Sequence, residues 1–177
     1  NPSTTIIEIL KKLKDIRFDR GTKNFQPTNL EVTSININKN IDNIIPGSAG
    51  ASFNIRFNNK HSSKSLKKKL NTIFSKMCGK KNSRYEIEYK VSGEAFLCKP
   101  SSFVYKIQNI IKKNTKIKPK LSTSGGTSDA RFIRKISPCL EFGLVGKTMH
   151  KIDEAVSLKD LKNLTKIYAE ILEEYFK

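Results

Sequence analysis

Ala51, Phe53, Ile55 and Phe57 alternate without a break with Ser52, Asn54, Arg56 and Asn58. Apolar residues confined to one phase of a period of two specify a strand that buries one face only. The chain must therefore build a sheet covered on one side, and Arg56 falls on the other side. Flanking segments supply the cover. Ile6, Ile9, Leu10, Leu13 and Ile16 recur at helical spacing behind Asn1-Pro2, a cap residue followed by proline at the first helical position. They predict a helix to about Arg17, ended by Asp19-Arg20-Gly21-Thr22. Leu66, Leu70, Ile73, Phe74 and Met77 predict a second helix.

Two more strands complete this half. Residues 28–37 are β-formers, with Leu30 and Val32 on one phase and Ile35 and Ile37 on the other, a slip that predicts a bulge or bend. Residues 38–43 form a polar turn, and Ile44-Ile45-Pro46-Gly47 leads into the next strand. Tyr85, Ile87, Tyr89 and Val91 alternate with Glu86, Glu88 and Lys90, predicting a third strand. The order α-β-β-α-β is a split βαβ arrangement without its first strand.

Ser92-Gly93-Glu94 marks a boundary, dividing the chain into domains 1–94 and 95–177. Beyond it, Phe103, Val104, Ile107, Ile110 and Ile111 predict a helix, 120–122 a brief strand, and 138–142 a short buried strand. A loop over 143–156 carries His150. Ser157 then caps a last helix whose apolar face is Leu161, Leu164, Tyr168, Ile171 and Tyr175. Two short strands and two helices cannot enclose a core, so this half is expected to dock on a larger sheet.

Of the 34 basic residues 28 are Lys, spread over the whole length, and only six are Arg. The net charge of +18 is therefore read as a solvated surface and not as a nucleic-acid footprint. Lys67-Lys68-Lys69 lies on a helix without aromatic stacking partners. No apolar run has the length of a membrane span, so no membrane partner is expected. Cys78, Cys98 and Cys139 are odd in number, far apart in sequence and in no metal-ligand spacing. They are expected to be reduced thiols of a cytoplasmic protein. A start at Asn1 rather than Met suggests processing or truncation.

The chemistry concentrates in Ser122-Thr123-Ser124-Gly125-Gly126-Thr127-Ser128-Asp129-Ala130-Arg131-Phe132, followed by Glu141-Phe142-Gly143 and Met149-His150-Lys151. A Gly-Gly turn flanked by hydroxyls can aim successive N–H groups at one anion. A neutral imidazole in the downstream loop can ligate a metal. His61 reads instead as an ordinary residue that helps start the second helix. Asp129, Glu141, Asp153 and Glu154 show no carboxylate pairing and are expected to cap or orient their loops.

With Phe25-Gln26-Pro27-Thr28-Asn29-Leu30, Asn43-Ile44-Ile45-Pro46, Phe53-Asn54-Ile55-Arg56-Phe57 and Ser92-Gly93, these motifs occur in an order and spacing that resemble the zinc-dependent aminoacylase/carboxypeptidase superfamily. Within it, they are most similar to the desuccinylase branch. The resemblance runs along nearly the whole chain. It implies α/β architecture overall: a ferredoxin-like α+β lid and dimerisation domain lacking its first strand, then the C-terminal portion of a zinc-peptidase-like α/β catalytic domain. It further implies two zinc ions per active site, with cobalt a possible substitute, a homodimer formed through the lid, and a small succinylated diamino acid as substrate. His150 matches the last metal ligand. Asn43, Arg56, Ser92, Gly93 and Thr127 match substrate-binding positions, and the loop adds Gly126, Ser128 and Arg131. The other metal ligands, the catalytic glutamate and the lid histidine have no counterpart here, so no catalytic residue is assigned and the chain alone is expected to be inert. Two departures stand out. Asn38-Lys39-Asn40-Ile41-Asp42 replaces a turn usually rich in glycine, and Ala130 replaces a frequent glycine. The alternatives are a sibling deacylase such as an acetylornithine deacetylase or aminoacylase, a basic nucleic-acid-binding module on the ferredoxin-like half, and a non-catalytic dimer-forming piece.

Overall fold

The computed structural model describes residues 1–37, 43–124 and 128–177. The chain divides into two compact units, Asn1–Phe96 and Leu97–Lys177, with mixed helix and strand content.

The first unit opens with α1 (Pro2–Lys14), three residues shorter than its periodicity predicts. Asn1 caps it, its side chain accepting from the Ser3 amide at 3.0 Å, and Lys11, Lys12 and Lys14 complement the dipole at its C-terminus. Strands β1 (Asn29–Asn36) and β2 (Gly50–Arg56) pair antiparallel, with Leu30 opposite Ile55, Val32 opposite Phe53, and Ile35 opposite Ala51. The register shifts between Val32 and Ser34, so one residue, Thr33, is extra in β1. The bulge returns Ile35 to the face of Leu30 and Val32, which is what the phase slip in the sequence requires. Helix α2 (Ser63–Lys80) begins with a reciprocal cap between Ser62 and Ser65.

Both helices cover one face of the hairpin. Ile9, Leu10, Leu13, Leu30, Leu70, Phe74 and Cys78 form the buried centre, and Val32, Ala51, Phe53 and Ile55 pack against it from the sheet. Phe74 stacks on Phe53 with ring centroids 6.4 Å apart. The expected third strand is not formed. Ile87 and Tyr89 still pack against the core while Glu86, Glu88 and Lys90 face solvent, but Tyr85 and Val91, on the apolar phase at either end, are exposed. The sheet nevertheless has two strands only among the described residues, because 85–91 finds no ladder of N–H and C=O groups to join.

The second unit holds α3 (Ser102–Thr115), the short α4 (Ala130–Ile133) and α5 (Leu158–Phe176). Ser101 and Ser157 cap the long helices, accepting from Val104 N and Asp160 N. Ile107, Ile110 and Ile111 of α3 meet Ile167 and Ile171 of α5, with Leu140 and Phe142 alongside. Lys113 Nζ and Asn114 Nδ2 both reach Glu170, at 2.5 and 2.7 Å. Three expectations need correction. Neither 120–122 nor 138–142 forms a strand, for want of a described partner strand, and α4 was not foreseen. The buried face of α5 is rotated. Ile167 is its most enclosed residue, whereas Leu161, Tyr168 and Tyr175 are 44%, 44% and 63% exposed. Helix α5 is apolar on more than one side, and α3 covers only one of them.

Candidate functional site

Of the candidates in the first unit, Arg56 has the best-defined setting. It is the last residue of β2, opposite Asn29, and its exposed side chain lies on the face away from the helices. No hydrogen bond or ion pair engages its guanidinium among the described residues. The strand end that carries it is held from behind by a buried polar network. Asn58 follows on the polar phase, yet it is 2% exposed, a reversal of its expected position. Its amide Nδ2 donates to Asp19 Oδ1 at 2.7 Å and to the Gln26 carbonyl at 2.9 Å. Its Oδ1 accepts from Lys60 N, and its backbone N donates to Thr28 Oγ1. Every polar group of the buried carboxamide is satisfied, as burial demands.

Asp19 is the hub. Its carboxylate also accepts from Gly21 N at 2.5 Å and Thr28 N at 3.2 Å. Gly21 has φ +80°, and a Cβ there would stand 2.8 Å from the Phe25 carbonyl oxygen. Burial pushes the Asp19 pKa up, but hydrogen bonds from the Thr28 side chain, Gly21, Asn58 and the Thr28 backbone outweigh it. They hold the carboxyl well below the usual range. His61 Nε2 stands 3.2 Å from Asp19 Oδ2, off the hydrogen-bond axis, and its ring packs edge-on against Phe18. The helix start assigned to His61 belongs to Ser62 instead.

Asn43 lies exposed in the turn before β2. Ser92 and Gly93 are exposed too, and Glu94 anchors their segment by accepting from Ser63 N at 3.1 and 3.2 Å, at the positive end of α2.

In the second unit, Gly126 and Thr127 lie outside the described residues, and in the first unit so do residues 38–42, Asp42 included. Next to them, Ser128 Oγ accepts from Ala130 N at 3.2 Å, and Arg131 N donates to the Ser128 carbonyl at 3.3 Å. Ser128 and Arg131 therefore share one turn at the start of α4. The Arg131 guanidinium lies 4.7 Å from the centre of the Phe132 ring, and its Nε is buried without a described partner. Ser122 and Ser124 bond to each other, hydroxyl to hydroxyl.

His150 is exposed and has φ +61°, in the left-handed region. That conformation is costly for a residue with a Cβ and concentrates at functional positions. The loop around it is closed by Thr148 Oγ1, which bonds Ala155 N and O, each at 2.9 Å. Glu154 accepts from His150 N at 3.3 Å, which is a loop-orienting role. Nothing described fills the imidazole's own hydrogen-bonding positions.

Residues 3–174 match the family model for peptidase family M20/M25/M40. The chain belongs to this family. The motif-based resemblance and the family match thus agree. Similar relatives are proteins named succinyl-diaminopimelate desuccinylase. That of Pelagibacter ubique (strain HTCC1062) is 70% identical over 176 residues, 99% of this chain and 46% of the relative. That of Rickettsia bellii (strain RML369-C) is 44% identical over 98% of this chain and 44% of the relative. That of Parvibaculum lavamentivorans is 43% identical over 99% and 45%. The chain spans about half the length of the curated relatives it matches.

An M20 chain raises the question of metal. Among the described residues no three His, Cys, Asp or Glu side chains gather to hold an ion. The donor set does not make a metal centre by itself, since a structural or catalytic zinc takes three or four protein ligands.

Proposed function

We propose that this chain is part of a zinc amidohydrolase that cleaves N-succinyl-LL-2,6-diaminopimelate to succinate and LL-2,6-diaminopimelate, in the synthesis of lysine and peptidoglycan precursors. The observation that carries the reading is 70% identity, over 99% of the chain, to a relative named for that activity. The substrate is rich in carboxylates, and the side chains kept free in this chain suit it. Arg56 offers a planar fork of donors on an open sheet face, the geometry that pairs a carboxylate through two parallel hydrogen bonds. Arg131, Ser128, Gly126 and Thr127 make the second carboxylate-holding group, and Ser92, Gly93 and Asn43 hold the succinyl amide. Asn43 does so in the partner's site of a homodimer formed through the first unit.

His150 is proposed as one zinc ligand. Zinc, when bound, polarises the scissile carbonyl and acidifies water. The remaining ligands and the catalytic glutamate lie outside this chain, so no step through the metal follows from these residues.

The first unit is proposed to be the lid and the second the C-terminal part of the catalytic domain. In a ferredoxin-like sheet the last strand pairs with the first. That supports the reading of 85–91 as a strand whose partner comes from another part of the polypeptide. The protein is expected to work in the cytoplasm. No described helix is long and apolar enough to cross a membrane. The test is product identification. The full-length protein, loaded with zinc, is incubated with N-succinyl-LL-2,6-diaminopimelate, and succinate and free diamine are quantified by NMR. Equimolar release supports the proposal, and an unchanged substrate spectrum overturns it.

A further inference from the structure

Cys98 and Cys139 lie 41 residues apart in the sequence, yet their sulfurs are 3.8 Å apart in the second unit. Both are free thiols, both are partly buried, and neither lies in a helix or strand. Cys78 is different, being buried in the core of the first unit. A disulfide needs the sulfurs at about 2.05 Å. Closing the remaining gap of roughly 1.8 Å calls for side-chain rotation and a small shift of two irregular segments. We infer that Cys98 and Cys139 form a reversible intramolecular disulfide when the protein meets a peroxide.

The step balances with hydrogen peroxide as oxidant. One thiol gives its proton to solvent, and its thiolate attacks a peroxide oxygen. The O–O bond breaks, leaving a sulfenic acid on the cysteine and hydroxide, which takes up the proton to become water. The second sulfur attacks the sulfenyl sulfur. The S–O bond breaks, the S–S bond forms, and the second thiol's proton leaves with the hydroxyl as another water. Two thiols have lost two electrons and two protons, and one peroxide has become two waters. A dithiol reductant reverses the bond by exchange.

Cys139 Sγ also points its proton at the Ala130 carbonyl, 3.7 Å away. Ala130 begins α4, on the turn that holds Ser128 and Arg131. Oxidation removes that donor and ties the 98 segment to the base of α4. The redox state is therefore coupled to the turn that holds Ser128 and Arg131. Burial, and then the neighbouring Cys98 sulfur, push the Cys139 thiol up, so peroxide oxidation should be slow near neutral pH and faster in mild base.

The inference does not depend on catalysis, and neither does its test. The chain is treated with hydrogen peroxide in native buffer, denatured, alkylated with iodoacetamide and weighed intact by mass spectrometry. The expected result is a loss of two hydrogens and a single alkylation. Peptide mapping should link Cys98 to Cys139 and place the alkyl group on Cys78, and dithiothreitol should restore three alkylations. Cys98→Ser should abolish the two-hydrogen loss. Three alkylations throughout, a bond involving Cys78, or only irreversible oxygen addition would overturn the inference. The wild-type readings decide the matter even if the variant fails to fold.

Discussion

Replacing Asp19 by Ala tests whether the buried network behind Arg56 organises the first unit. The Asp19 side chain is 5% exposed and accepts hydrogen bonds at 2.5 Å from Gly21 N, 2.7 Å from Asn58 Nδ2 and 3.2 Å from Thr28 N. A hydrogen bond to a charged group contributes about 1.5–3 kcal/mol, and a stranded buried donor costs about 1–3 kcal/mol. Asn58 retains its bond to Gln26, and bonds sharing one acceptor are not additive. The expected loss is therefore roughly 3–5 kcal/mol, below the simple total of three bonds. That is a large share of the ~5–15 kcal/mol that holds a typical domain. Urea unfolding followed by circular dichroism measures it. Acid adds a second handle. The folded pKa of Asp19 is lowered, so the unfolded chain binds the proton first. The stability Asp19 confers is present above the unfolded carboxylate pKa of about 3.9 and is lost as pH falls below it toward the folded value. Asp19→Asn should remove this acid-side decline while keeping the side-chain volume. A loss under about 1 kcal/mol for Asp19→Ala, with an unchanged acid profile for Asp19→Asn, would refute the hub role.

Other consequences can be measured alongside. Leu13→Ala, at 0% exposure, should cost about 2–5 kcal/mol in the same unfolding assay, because the packed site cannot collapse fully. In the full-length protein, Arg56→Ala should raise KM by roughly tenfold to a hundredfold with zinc content unchanged, and Arg56→Lys should recover only part of the loss. His150→Ala should lower bound zinc, read by atomic emission, and cut turnover by orders of magnitude while circular dichroism stays the same. The isolated 177-residue chain should release no succinate, since one ligand does not hold a catalytic zinc.

Local signals were readable from the sequence, and long-range ones were not. The caps at Asn1 and Ser157 and the bulge or bend within residues 28–37 each follow from a few neighbouring residues, and each is found in the structure, whereas the start of the second helix belongs to Ser62 and not to His61. The alternation at 85–91 puts Ile87 and Tyr89 on the core, but Tyr85 and Val91 on the same phase stay exposed, and alternation cannot provide a pairing partner. The same shortage leaves 120–122 and 138–142 without strand geometry. Ile167 was missed because α5 has more apolar residues than one face holds, and only the docking of α3 selects among them. The Asp19–Asn58 contact joins residues 39 apart, and Cys98 meets Cys139 across 41. No periodicity announces either. Asn58 even occupies the phase expected to face solvent. Of the candidate residues, the setting of Arg56 follows from strand phase, whereas the left-handed backbone of His150 is visible only in three dimensions.

The most direct measurement of the central claim is a side-by-side comparison of kcat/KM for the zinc-loaded full-length protein on N-succinyl-LL-2,6-diaminopimelate and on N-acetylornithine. The acetyl compound lacks the distal carboxylate of the succinyl group, so it forgoes a charge-assisted contact of about 1.5–3 kcal/mol. The account predicts a preference for the succinylated substrate of at least roughly tenfold to a hundredfold, shrinking in Arg56→Ala. Equal rates on both substrates, or a preference for the acetylated one, would contradict it.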